Sequence, residues 1–182
     1  KAAAAATAAA VAGAATAIGA LTTKAIEGYA AQEQLVGGVE TLFKTSSDTV
    51  VGYANDAYKT AGMSANEYME TVTSFSASLL ASMNNDTAAA AEKANVAITD
   101  MSDNANKMGT DISLIQNAYN GFAKQNYTML DNLKLGYGGT KEEMQRLLDD
   151  ASKLSGIKYD ISSYSDIVDA IHVVQTEMDI TG

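Results

Sequence analysis

Not one proline occurs in the 182 residues of this chain. A loop-rich or all-β fold of this length normally uses proline at several turns and edges, whereas helix interiors exclude it, because it lacks the N–H and clashes with the preceding turn. The chain therefore reads as all-α. Apolar residues make up 47%, enough for a core, but aromatic residues are only 7% and tryptophan is absent. Such a core must be built from Ala, Leu, Ile, Val and Met, and the eight methionines fall on apolar faces as core filler rather than as a cofactor box.

The absence of cysteine removes disulfides, thiolate metal sites and cysteine nucleophiles together. The net charge is −10, and Lys and Arg stop after Lys158. Binding to phosphates by counterion release needs clustered cations, so no specific nucleic-acid binding is expected. Residues 2–23 carry no charge, which raises the question of a membrane span. The run is mostly Ala with Thr7, Thr16, Thr22 and Thr23, and only Val11, Ile18 and Leu21 are strongly apolar. Alanine sits near the threshold of insertion, so an Ala-rich helix packing closely on another helix is preferred to a span. The segment also lacks the compact leucine-rich centre of a signal peptide. Because the chain opens on Lys1 and stops at "MDITG", it is expected to be a piece of a longer protein.

Spacing divides the chain into helices. Residues 2–35 read as one long Ala-rich helix, with Ala14, Ile18, Leu21, Ala25, Gly28, Gln32 and Leu35 recurring at alternating four and three, a seam suited to close helix contact. Gly37-Gly38 is expected to end it, with a short helical turn at "VETLF". A helix from Ser46 to Gly62 follows. Ser64 opens the next with Glu67 three residues on, a capping box, and Tyr68, Val72, Phe75 and Leu79 on its apolar face. Asp86 is an N-cap for a helix carrying Ala91, Ala94, Ile98, Met101, Ala105 and Met108 at three-four spacing, closed by Gly109. A helix over about 111–123 leads into the irregular "NYTMLDNLKLGYGG". Residues 141–154 should point Met144, Leu147, Leu148, Ala151 and Leu154 inward, with Gly156 as the stop. "IKYDI" alternates at period two and is expected to be briefly extended. The last helix, from about Ser165, should bury Ile167, Ile171, Val174 and Met178. The resulting expectation is a multi-helix bundle of short capped helices (residues 36–182) preceded by a long Ala-rich helix (residues 1–35). The residues expected to carry helix packing and interaction are Ala14, Ile18, Leu21, Ala25, Ala94, Ile98, Met101, Ala105 and Met108.

The most enzyme-like stretch is "LKLGYGGTKEEMQRLL" (133–148), where Gly136, Gly138 and Gly139 precede Thr140 and Lys141. A phosphate-cradling loop needs the order G-x-x-x-x-G-K-[ST], so that backbone N–H groups wrap the phosphates and the lysine and hydroxyl reach them. Here the lysine follows the hydroxyl, and no hydrophobic strand feeds the loop. Thr140 with Glu143 is instead a capping box, and Glu142 and Glu143 suit the first turn of a helix. His172, the only histidine, lies beside the apolar stripe of the last helix and is expected at a boundary or the surface. Asp169 and Asp179, three and seven residues away, form a weak metal set. Asp149-Asp150 and Glu142-Glu143 read as solvated faces, since a catalytic dyad would need convergence in a cleft. "SDNANKMG" lacks the order of a calcium loop. No catalytic, cofactor or metal residues are assigned.

The strings "EQLVGGVETLF" (33–43), "AYKTAGMSANEYMETVTSFSASLL" (57–80), the stretch 97–156 and "YSDIVDAIHVVQTEM" (164–178) resemble the core region of phage tail tape-measure proteins of long-tailed phages and prophages of Gram-positive bacteria. That resemblance covers nearly everything after residue 30, and the Ala-rich start is similar to the low-complexity segment that precedes this core. It implies a structural protein that sets tail length and helps organise the tail tube and tip; some members of that family carry cell-wall-degrading or membrane-active domains elsewhere in the chain, but no such catalytic residues are found here, so no enzyme is expected. It also implies release during genome ejection, and partners comprising other copies of itself, tail tube and tail tip proteins and assembly chaperones. The implied location is the interior of the virion tail, and the host bacterial cytoplasm during assembly. The alternative is a membrane-active helical protein whose Ala-rich segment makes transient membrane contact during infection. A wall-hydrolase reading resting on Asp149, Asp150 or His172 is the weakest.

Overall fold

The computed structural model describes residues 30–181. Every regular element among them is helical: α1 (30–43), α2 (Ser47–Thr60), α3 (Ala65–Ser82), α4 (Thr87–Met108), α5 (Ile112–Phe122), α6 (Lys141–Ser155) and α7 (Tyr164–Glu177). Short 3-10 turns lie at Lys44–Ser46 and Leu130–Leu133. The fold is an all-α bundle of short capped helices. The expected helix over residues 2–29, with its seam at Ala14, Ile18, Leu21 and Ala25, lies outside the described residues. No described helix is long and apolar enough to cross a membrane.

The starts of the helices follow from local side-chain chemistry. Ser64 Oγ accepts from the Glu67 N–H, Asp86 Oδ1 from the Ala88 and Ala89 N–H groups, Asp111 Oδ1 from Ser113 N–H and Thr140 Oγ1 from Glu143 N–H. Each satisfies donors that the first turn would otherwise leave unpaired. Ser163 caps α7 in the same way, receiving a bond from Asp166 N–H and donating one to its carboxylate, so α7 begins at Tyr164. Gly109 and Gly156 terminate α4 and α6 with positive φ, as expected.

α4 is the axle of the bundle, in contact with α2, α3, α5, α7 and both 3-10 turns. Its sequence explains how it serves so many neighbours. Ala90, Ala91, Ala94, Ala97 and Ala105 are buried beside Ile98 and Met101, and small side chains let several helices approach one axis closely. α6 packs chiefly on α7, and α7 in turn on α3 and α4. The aromatic residues meet between α3, α5 and α7, with Phe75 edge-on to Tyr164 at 6.2 Å and Tyr119 tilted against Phe122 at 5.9 Å.

Four sequence expectations are corrected. Gly37-Gly38 does not end a helix: α1 runs through it to residue 43, replacing the separate "VETLF" turn. Glycine in a helix costs about 1 kcal/mol relative to alanine, whereas Val39 and Phe43, both fully buried by this continuation, each gain about 1.5–3 kcal/mol. Residues 30–34 are exposed, so burial of α1 begins only where it meets the bundle. Leu154 does not point inward. It is 49% exposed, because residues 153–158 form an uncovered corner between α6 and α7. Met178 lies past the end of α7 and is 44% exposed; the chain turns there, Ile180 N–H bonds the Gln175 carbonyl, and Ile180 fills the core instead. "IKYDI" forms no strand among the described residues. Tyr159 alone of that run is buried, its hydroxyl bonded to Ser155, while Asp160 closes a turn with Ser162.

Candidate functional site

The packing residues proposed on α4 face into the chain's own core. Ala94, Ile98 and Met101 are fully buried, Ala105 nearly so, and Met108 packs against the edge of the same core. This stripe therefore joins helices of one chain.

A second set of α4 residues is buried and polar, and each member is tied to a different neighbour. Ser102 Oγ donates to the Ala61 carbonyl at the end of α2 (2.8 Å). Asn104 Nδ2 donates to the Leu133 carbonyl in the second 3-10 turn (3.0 Å). Asp100 receives His172 Nδ1 from α7, at 2.8 and 3.1 Å from its two carboxylate oxygens. Buried polar groups are costly unless bonded, so these three contacts fix how α2, the 3-10 turn and α7 sit around the axle. Nothing in residues 97–108 marks them out in the sequence, because their partners lie 29 to 72 positions away.

Asp100 is only 2% exposed, while the His172 side chain is 43% exposed. Burial pushes the Asp100 carboxyl above the usual carboxylate range, partly offset by the imidazole. The hydrogen bond to Asp100 raises His172, with Asp100 and Asp169 charge adding to it and partial burial opposing it. Beside the pair lies an open pocket of about 370 Å³ lined by Asn95, Val96, Thr99, Asp103, Thr176 and Thr181. A buried carboxylate orienting a histidine makes two members of a serine-type triad, whose third is a nucleophilic hydroxyl at the ring's other nitrogen. The nearby hydroxyls are engaged elsewhere: Thr99 donates to the Asn95 carbonyl and Thr176 to the His172 carbonyl. The geometry suits a clamp between helices.

His172 is thus at a boundary, as expected, but its partner is Asp100 and not the acids spaced along its own helix. Asp169 is bonded to Lys93 of α4, a second α4–α7 tie. No group of three metal-ligating side chains is present among the described residues.

The glycine loop is bound to the start of α6. Gly138 N–H donates to Glu143 Oε2 (3.0 Å), and Arg146 Nη2 bridges Glu143 (2.5 Å) and the Gly136 carbonyl (2.8 Å). The Arg146 guanidinium lies 4.3 Å above the Tyr137 ring, and the Tyr137 hydroxyl donates to Asp150 (3.1 Å). Arg146 therefore holds the Glu143 carboxyl below its ordinary range, as Lys153 does for Asp150. The Gly138 N–H and the Arg146 guanidinium, two groups that a phosphate could use, are thus engaged within the loop and the start of α6. Asp149 takes a bond from Gln145, while Glu143 and Asp150 meet at the Arg146 guanidinium, 2.5 and 4.0 Å from it, which neutralises them as ion-pair partners.

No protein-family model matches the chain, and no curated protein or solved structure is significantly similar to it.

Proposed function

We propose that this chain is a structural assembly module of a phage tail tape-measure protein, without enzymatic activity of its own. Its partners would be further copies of itself, tail tube and tail tip proteins and assembly chaperones, in the host cytoplasm during assembly and then in the tail interior. What supports the reading is the long resemblance over residues 33–178, together with one observation from the fold: the α4 stripe Ala94, Ile98, Met101 and Ala105, which could have joined chains, is spent on the chain's own core. A ruler made of extended helix encodes length at about 1.5 Å per residue. A folded bundle does not. The module would accordingly organise or anchor the assembly, with measuring length supplied by other parts of a longer protein.

The test is an in-frame deletion of residues 64–108 from the parent gene, with tail lengths measured by negative-stain electron microscopy. The deletion removes α3 and the axle α4, so tails should be missing or aberrant. A uniform shortening by roughly 65–70 Å, the length of about 45 helical residues, would mean that this stretch is ruler after all. Infectious particles with tails of unchanged length would overturn the assembly role.

A further inference from the structure

The α6–α7 hairpin is joined to the rest of the bundle mainly through α7, since α6 packs chiefly on α7 itself. On the α4 side of that joint lie two ion pairs, Asp100–His172 and Lys93–Asp169. The first is unusual in that its acid is almost wholly buried and its base is the one side chain whose ordinary titration falls near neutral pH. The groups facing it leave His172 as the cation that balances Asp100. From α4 comes Asp103, a further negative charge whose repulsion acts on Asp100. From α7 comes Asp169, with Lys93 of α4 drawn to it. From α5 comes Tyr119, fully buried, neutral and bonded by Gln175. From the C-terminal segment comes the uncharged Thr181.

We propose that Asp100–His172 is a proton-operated latch: with His172 protonated it closes the α6–α7 hairpin onto α4, and loss of that proton loosens the hairpin from the bundle. The physical reason is the asymmetry of burial. Removing the charge from the exposed partner leaves the buried carboxylate facing a neutral ring, and an uncompensated buried charge is among the most destabilising changes a fold can undergo. The sign follows from linkage. His172 is shifted upward in the folded state, so its contribution is complete below the ordinary histidine range and disappears as pH rises through the raised value. Asp100, also shifted upward, acts in the same sense, since its ionised form is the one burial opposes.

His172 is the only histidine, so its imidazole resonances in an NMR titration of the chain need no assignment. The midpoint should lie above the ordinary value near 6.5. Hydrogen exchange corrected for intrinsic rates should show protection of 164–177 falling between pH 6 and pH 9, by about tenfold for each unit the midpoint exceeds 6.5, while residues 112–122 of α5 hold theirs. Asp100→Asn should remove most of this pH dependence; His172→Gln should give at pH 6 the weakened protection of the wild type at pH 9. A midpoint at or below 6.5 overturns the latch. So does equal protection of α7 at both pH values in the wild type, or an unchanged pH dependence in either folded variant.

Discussion

The glycine loop offers a direct experimental separation between a ligand cradle and a packing device, because its three glycines meet different surroundings. A Cβ on Gly139 would lie 2.3 Å from the Thr128 carbonyl oxygen and 2.9 Å from its carbonyl carbon. That is about 1 Å inside the closest ordinary carbon–oxygen approach of about 3.3 Å, and both obstructing atoms are backbone. Thr128 has little freedom to retreat: its N–H and hydroxyl are held by Asn126, and two residues on the chain enters the turn that buries Leu130 and Leu133. The other escape is to move Thr140, the cap of α6. Overpacking typically costs 1–3 kcal/mol and a disturbed cap about 1 kcal/mol more, so Gly139→Ala should lose about 3 kcal/mol. For a chain of this size that is a fall in Tm of about 6–12 °C. Gly136 sits at φ +84° with nothing within 4 Å of a new Cβ, so its alanine variant loses only the left-handed backbone preference, about 1–2 kcal/mol. At Gly138 the nearest atom is the Glu143 Cγ at 3.6 Å, an ordinary contact, and the change should stay within about 0.5 kcal/mol. Urea unfolding of the three variants, with thermal melts as a check, gives the ranking. A Gly139→Ala loss below about 1 kcal/mol, or one smaller than that of Gly136→Ala, would refute the steric reasoning.

Two further stability measurements address other parts of the fold. Leu148→Ala removes a fully buried side chain and should cost about 2–5 kcal/mol, whereas Leu154→Ala, at the uncovered corner after α6, should stay within about 0.5 kcal/mol; similar losses at the two sites would place Leu154 in a core. Asp86→Ala deletes the acceptor of two N–H groups at the start of the axle helix, each 3.1 Å away, and should cost about 1 kcal/mol by the same assay, with Asp86→Asn recovering most of it.

What could be read from the sequence was what is decided within four residues. The caps at Ser64, Asp86 and Thr140, the stops at Gly109 and Gly156 and the stripe Ala91–Ala94–Ile98–Met101 all rest on local spacing and stand where that spacing puts them. The return half of the box at Thr140 does not form, because the Glu143 carboxylate is taken by the Gly138 N–H and Arg146 while the Thr140 N–H bonds the Gly138 carbonyl. The departures come from tertiary contact. Gly37-Gly38 looks like a helix stop until the burial of Val39 and Phe43 outweighs it. Leu154 and Met178 continue an apolar period past the point where any neighbour covers the helix. The candidate site was half legible. His172 stood out by composition alone, but spacing pointed to acids on its own helix, while the carboxylate that meets it is 72 positions earlier and reads as one of several ordinary polar residues on α4. The close approach of Gly139 to Thr128 is equally silent in the sequence, since a glycine needed for a neighbour's backbone and one needed for a ligand look the same.

These contacts also bear on how such a chain could sit in a tail. The axle helix α4 has 22 residues and spans about 33 Å, whereas residues 30–181 drawn out as one helix would reach roughly 230 Å. Passing from one state to the other would undo more than apolar packing. Asp100, Ser102 and Asn104 would each leave a partner on a distant segment, and the Gly139–Thr128 contact would have to open. In the proposed tail, lengthening the chain by extending this region would therefore trade a bonded core for solvent-exposed or intermolecular surface. Lengthening it elsewhere carries no such cost. On that physical ground the proposed module is better suited to hold a fixed position in an assembly than to set its length.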